Sequence, residues 1–151
     1  MRLNLLSFLL LTSLVFYIIL DLVSTVLAYY YLGTFQYEGS AIMRMSFDLA
    51  GIPGFIVVKT GLALVALLLA YWLGSSNGWY GLSAGLLLGA SLAGLFVSIS
   101  NLDILVNNTS IWILGLNSGT IGALIVFGSV IYGTIMIKPK AVKPNVRENL
   151  L

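Results

Sequence analysis

LNLLSFLLLTSLVFYIIL (Leu3–Leu20) contains no charged side chain and is closed by Asp21. An uninterrupted apolar run of this length is what a helix needs to cross the hydrocarbon core of a bilayer, about 20 residues at 1.5 Å each. A secretory signal is the competing reading, because Met1-Arg2 supplies a charged start. The run is longer than the usual hydrophobic region of a signal, however, and no small-x-small cleavage site precedes the Tyr29-Tyr30-Tyr31 cluster. The stretch therefore reads as a first transmembrane helix, extending to Leu32 with Gly33 as its stop.

The rest of the chain agrees with that start. Of 151 residues 60% are hydrophobic and only 8% charged, and the mean hydropathy is +1.06. Three more apolar segments follow, so the predicted fold is an all-α polytopic transmembrane bundle of four helices at approximately 3–32, 53–73, 81–102 and 111–137. These form one domain over residues 1–137, with a basic tail at 138–151. Pro53 is tolerated in the first turn of the second helix. The connection from Gly33 to Ile52 holds Glu38, Arg44 and Asp48, and its Met43, Met45, Phe47 and Leu49 make it amphipathic enough to lie along the interface. Gly74-Ser75-Ser76-Asn77-Gly78 is a tight turn, bracketed by Trp72, Trp79 and Tyr80 as an interfacial aromatic belt is.

Orientation follows from the loop Lys and Arg residues. Arg2, Lys138, Lys140, Lys143 and Arg147 fall on one side and only Arg44 on the other. Both termini are thus expected in the cytoplasm of a multi-pass cell-membrane protein. The overlapping sequons at Asn107 and Asn108 fall in the third loop, on the outside, and are candidate glycosylation sites. The tail suits contact with anionic headgroups, the plainer alternative being that it only sets orientation.

Absence of Cys and His removes disulfides, thiolate nucleophiles, zinc sites with N or S ligands and a His general base. A net charge of +2 without basic residues interleaved among aromatics gives no nucleic-acid signature. No cofactor is expected. The expected partners are the lipid bilayer and either a further membrane protein or a second copy.

Polar residues gather in the outer halves of the helices. Asp21 and Thr25 share one face of the first helix at i, i+4, with Ser24 beside them, and Lys59 lies at similar depth on the second. Asn101 and Asp103 end the third helix, and Asn117 lies in the outer half of the fourth. By contrast Ala63–Ala70 carries no polar side chain. Ionisable residues within a span are costly, about 2.5–3.5 kcal/mol at the centre on insertion scales, and mark functional sites. An Asp21–Lys59 ion pair facing the interior is the simplest arrangement, with Glu38 able to compete for the lysine. The bland alternatives are that the pair only locks two helices together, or that Lys59 snorkels to the interface. Asp21, Thr25, Glu38, Lys59, Asn101, Asp103 and Asn117 thus form a candidate outward-facing pocket for a small solute, ion or lipid headgroup. An oxygen-ligand cation site from Asp21, Glu38 and Asp103 is opposed by the nearby lysine. A Ser–Lys dyad of Lys59 with Ser24 or Ser98 is the chemistry an intramembrane enzyme would use. Gly54-x-x-x-x-Lys59-Thr60 lacks the glycine that precedes the lysine of a phosphate loop.

Gly81, Gly85 and Gly89 recur at four-residue spacing and Ala93 continues the stripe; Gly115, Gly119 and Ala123 repeat the pattern on the fourth helix. Small residues let helices approach closely in lipid. Packing of the third helix on the fourth is the expectation, with docking to a partner subunit or a second copy as the alternative.

Asp21-x-x-x-Thr25, Glu38 and Gly54-x-x-x-x-Lys59 together resemble a family of small four-helix prokaryotic membrane proteins of unknown function. In that family the loop acid is followed by Asn-Pro, as E-x-N-P, where this chain has Glu38-Gly39-Ser40-Ala41. The resemblance covers the first half of the chain. It implies that the Asp, the Glu and the Lys belong to one site and supplies no activity.

Overall fold

A computed structural model describes residues 4–34, 38, 40–75, 77–107, 112–113 and 115–138. It contains four helices long and apolar enough to span a membrane: α1 (Leu5–Leu32), α2 (Ala41–Leu73), α3 (Tyr80–Asn107) and α4 (Ser118–Met136). The chain is a four-helix transmembrane bundle. Consecutive helices run antiparallel, so Leu5, Leu73, Tyr80 and Met136 share what is here termed the proximal end, beside the termini; the opposite end is distal. The tail beyond Lys138 and the sequon residue Asn108 lie outside the described residues.

Local chemistry sets the helix boundaries. Asn4 caps α1, its side-chain oxygen accepting the Ser7 N–H at 2.8 Å. Gly33 closes the helix in the left-handed region at φ 68°, its N–H donating to the Tyr29 carbonyl at 2.8 Å. Ser40 caps α2, which therefore starts well before Pro53. The amphipathic connection is itself helical from Ala41, and it meets the span at a kink where Ala50 and Gly51 leave helical geometry. Gly51 has φ 63°, a conformation open to glycine. Ile42, Met45 and Leu49 form an exposed apolar stripe on this first piece, suited to lie in the interface.

Two other boundaries differ from the sequence reading. α3 continues to Asn107 rather than ending near Leu102. α4 begins at Ser118 rather than Ile111, because Trp112–Ile113 and Leu116–Asn117 pair as a short antiparallel hairpin, and Asn117 then caps the helix by accepting the Thr120 N–H at 2.9 Å.

The bundle is centred on α3. In its most apolar 18-residue window 56% of residues are buried, against 28% for α1 and 17% each for α2 and α4. α1, α2 and α4 all pack on α3, and α4 packs on little else. A Cβ added at Gly85 would lie 2.5 Å from the Ser129 carbonyl oxygen, and one at Gly133 would lie 2.5 Å from the Gly85 Cα, so the two backbones touch. Gly81 and Gly89 continue that contact along α3, against Gly133 and Val126 respectively. The facing stripe on α4 is Gly122, Val126, Ser129 and Gly133. Gly115 and Gly119 are not part of it. Gly115 sits in the hairpin turn at φ 77°, and a Cβ on Gly119 would meet nothing nearer than Asn117 Oδ1 at 3.5 Å.

α1 contains a π-helical turn at Leu14–Leu20, directly before Asp21. Residues four apart drift by about 40° per step on an α-helix of 100° per residue. The wider i→i+5 turn reduces that drift and keeps Ser13 and Thr25 on the face that meets α3. Ser13 is fully buried and its hydroxyl contacts the Leu9 and Leu87 carbonyls, both at 2.7 Å, and Ser91 Oγ at 3.0 Å. The proximal half is therefore apolar along α2 but carries a satisfied hydroxyl cluster between α1 and α3.

These contacts predict that Gly85→Val and Gly133→Val each destabilise the chain by about 3 kcal/mol, the upper range for overpacking, since backbone cannot yield as a side chain does. Gly119→Ala should stay within about 0.5 kcal/mol of the parent. Unfolding titrations in mixed micelles measure all three; equal losses would contradict the packing described.

Candidate functional site

The distal half of the α1–α2–α3 interface holds the buried charges. Asp21 opens the α-helical segment that follows the π turn, and its side chain faces inward with 6% of the residue exposed. Ser24 and Thr25, one turn on, share its face. Lys59 reaches in from α2, two turns beyond the kink at Ala50–Gly51. Asn101 reaches in from α3, two turns before that helix ends.

Lys59 Nζ lies 3.0 Å from Asp21 Oδ2 and donates to Thr25 Oγ1 at 3.2 Å. Asn101 Nδ2 donates toward Ser24 Oγ at 3.1 Å, Thr25 Oγ1 at 3.0 Å and Asp21 Oδ1 at 3.4 Å. Donation to a carboxylate fixes which way the amide points. Thr25 is the hub. Its hydroxyl donates to the Asp21 carbonyl oxygen at 2.6 Å and accepts from both Lys59 and Asn101, which uses its one proton and both lone pairs. Ser24 Oγ also donates to the Asp21 carbonyl, at 3.1 Å. The Phe55 ring, fully buried one turn before Lys59, has its centroid 5.2 Å from Nζ, within cation–π range.

The cluster spans three helices and balances one negative charge against one positive. Bringing two charges out of water costs several kcal/mol per ion, and a pair recovers that only with good geometry and further hydrogen bonds. The hydroxyls and the amide supply them here. The Lys59 side chain remains 15% exposed, so the pair is not sealed off completely.

Of the seven residues expected in the pocket, the structure brings Asp21, Thr25, Lys59 and Asn101 together. Glu38 accepts the Ser40 N–H at 3.0 Å in the connection before α2, and among the described residues Lys59 has its ion pair with Asp21 alone. Asp103 is about 200° round α3 from Asn101 at 100° per residue, and accepts from the Asn107 amide at 2.6 Å. Asn117 is exposed and is occupied as the cap of α4. No group of three acidic residues converges among the described residues, so Asp21, Glu38 and Asp103 do not make a cation cage. Neither serine of the proposed dyad hydrogen-bonds Lys59: Ser24 serves Asp21 and Asn101, and Ser98 donates to the Gly94 carbonyl at 2.7 Å.

Phe55 is the site residue that sequence reading missed, although its position four before Lys59 places it on the same helix face. Tyr17 was also missed. It lies one π turn before Asp21, and its backbone touches Gly94 of α3.

Asp21→Asn or Lys59→Met alone should each cost about 3–5 kcal/mol, because either leaves an uncompensated buried charge. The double variant should cost less than the sum, and strict additivity would deny the pairing. Thr25→Val, which takes one acceptor from each of two buried donors, should cost about 2 kcal/mol, and Thr25→Ser should recover most of it. The same unfolding titrations measure these.

No family model matches the chain, and neither a curated protein nor a solved structure is found to match it.

Proposed function

We propose that this chain is a membrane-embedded binding module whose Asp21–Lys59–Thr25–Asn101 cluster takes a small solute, ion or lipid headgroup from the distal side, for capture or transport. The carrying observation is a buried ion pair held by three helices that nonetheless keeps one partner partly exposed. Among the described residues the Thr25 hydroxyl, the Asn101 amide and the Phe55 ring surround it. The resemblance carried by Asp21-x-x-x-Thr25, Glu38 and Gly54-x-x-x-x-Lys59 implies one site for the Asp, the Glu and the Lys and names no activity; Asp21 and Lys59 meet, and Glu38 accepts the Ser40 N–H. We place the distal end outside and both termini in the cytoplasm of a multi-pass cell-membrane protein, on the distribution of Lys and Arg.

One observation favours a second reading, an accessory subunit of a larger membrane complex. α2 and α4 are little buried, and among the described residues no atom outside their own helices stands within 4 Å of a Cβ placed at Gly61 or Gly128. Gly81, Gly85 and Gly89, by contrast, already face α4 and leave that stripe no room for a partner.

Thermal unfolding of the purified full chain in a panel of small anions, zwitterions and cations tests the binding reading. At least one class should raise the melting temperature of the wild type and leave Asp21→Asn unmoved; a panel with no effect overturns it. Single cysteines at Asn77 and Asn108 should label with an impermeant thiol reagent from opposite sides, and labelling from the same side overturns the orientation. A stable complex from mild detergent would favour the accessory reading, and a lone monomer would count against it.

A further inference from the structure

The Lys59 ammonium shows what chemistry the cluster accepts. Asp21 Oδ2 at 3.0 Å, Thr25 Oγ1 at 3.2 Å and the Phe55 ring centroid at 5.2 Å converge on Nζ. A carboxylate and a hydroxyl oxygen take the N–H donors of a primary ammonium, and the ring face takes part of its charge. The cluster holds this guest on a tether. Lys59 belongs to α2, whereas the carboxylate and the hydroxyl belong to α1 and the amide beside them to α3.

Other guests fit less well. A divalent cation wants six or more oxygen ligands, yet Asn101 turns its Nδ2 toward Asp21, Ser24 and Thr25, and Lys59 adds a like charge. An anion would meet the Asp21 carboxylate. That carboxylate has acceptor capacity to spare, since Oδ1 is approached by Thr25 and Asn101 at 3.3 and 3.4 Å, long beside the roughly 2.7–2.9 Å of a charge-assisted bond. The tether is also on a weakly held helix. Only 17% of the apolar window of α2 is buried, and the kink at Ala50–Gly51 lies two turns distal to Lys59. A four-carbon stem with an exposed flank can swing its head toward the distal surface.

We propose that the cluster is a primary-ammonium site, at which a small amine or an amine-bearing lipid headgroup replaces Lys59 on Asp21. This rests on the binding reading above and names its ligand class.

Ethylammonium chloride and tetramethylammonium chloride at equal ionic strength separate an N–H-bearing cation from one with charge alone. The full chain is melted in each as the wild type, Lys59→Ala and Asp21→Asn. Lys59→Ala removes the tethered ammonium and keeps Asp21, Thr25 and Phe55. Ethylammonium should raise its melting temperature by about 3 °C or more at near-saturating concentration. The wild type should gain less, because a tethered competitor acts at high effective concentration. Asp21→Asn should not respond, and tetramethylammonium should move none of the three. Wild type in phosphatidylethanolamine and in phosphatidylcholine nanodiscs distinguishes the sources. Stabilisation in the first bilayer alone assigns the headgroup, and a gain from ethylammonium in both assigns the free amine. Equal responses to the two salts, or a response in Asp21→Asn, overturn the proposal. Should Lys59→Ala not fold, the other two arms carry the test by themselves: ethylammonium must stabilise the wild type and leave Asp21→Asn unmoved. An anion or zwitterion that stabilises through Asp21 while ethylammonium does nothing removes the ammonium assignment and leaves the binding reading standing. Silence from every solute removes both.

Discussion

A helix in lipid gains almost nothing by burying one more leucine, because the acyl chains around it are equally apolar. The architecture depends on that constraint. What draws these helices together must be something lipid cannot supply, namely backbone at close range and polar groups that find partners. α3 provides both, with glycines at positions 81, 85 and 89 toward α4, glycine at 94 toward α1, and serines and an asparagine on the faces that meet α1. Large exposed side chains such as Val57, Leu69, Phe127 and Ile135 stand on the outer surfaces of α2 and α4, where they need only be compatible with the bilayer.

The two polar clusters along α1 differ in kind. Around Ser13 and Ser91 the acceptors include the Leu9 and Leu87 carbonyls, and the contacts that cross from α1 to α3 are short-range adhesion, worth about 0.6 kcal/mol each on average in membrane double-mutant cycles. Around Asp21 the cluster carries formal charge and depends on a third helix. Taking α1 or α2 away leaves an uncompensated ion, and taking α3 away leaves the acceptors on Asp21, Ser24 and Thr25 without the Asn101 amide. The first cluster can be understood as glue; the second is too demanding for that role alone.

Much of this was legible in the residues. Four apolar segments fixed the number of spans, and Gly33 marked the end of the first. Asp21 and Lys59 identified themselves as opposite charges at matching depth, and Thr25 followed from helical spacing. The failures have physical causes. Spacing of four residues made Gly115 and Gly119 look like a packing stripe, but that stripe presupposed helix from Ile111, and Trp112–Ile113 pairs with Leu116–Asn117 as short strands instead. Asp103 shares depth with Asn101 but not azimuth, and depth was all that a hydropathy reading could give it. The helicity of Ala41–Ala50 was hidden by its polarity, since an interfacial helix lacks the apolar continuity that announces a span. The π turn left no trace in composition at all, because Leu14–Leu20 is as apolar as any α-helical stretch.

That turn has a consequence for the reading frame of the molecule. A π turn contains one residue more than the α turn it replaces. Deleting a single residue between Leu14 and Leu20 would let α1 close into uniform α-helix with its two ends still in phase, whereas closing the same turn with every residue kept would rotate one end by about 100° relative to the other. In that second case Ser13 and Asp21 could no longer both face α3. The two ends of α1 are thus phased against each other by one surplus residue, and the helix behaves as two half-spans coupled by an offset.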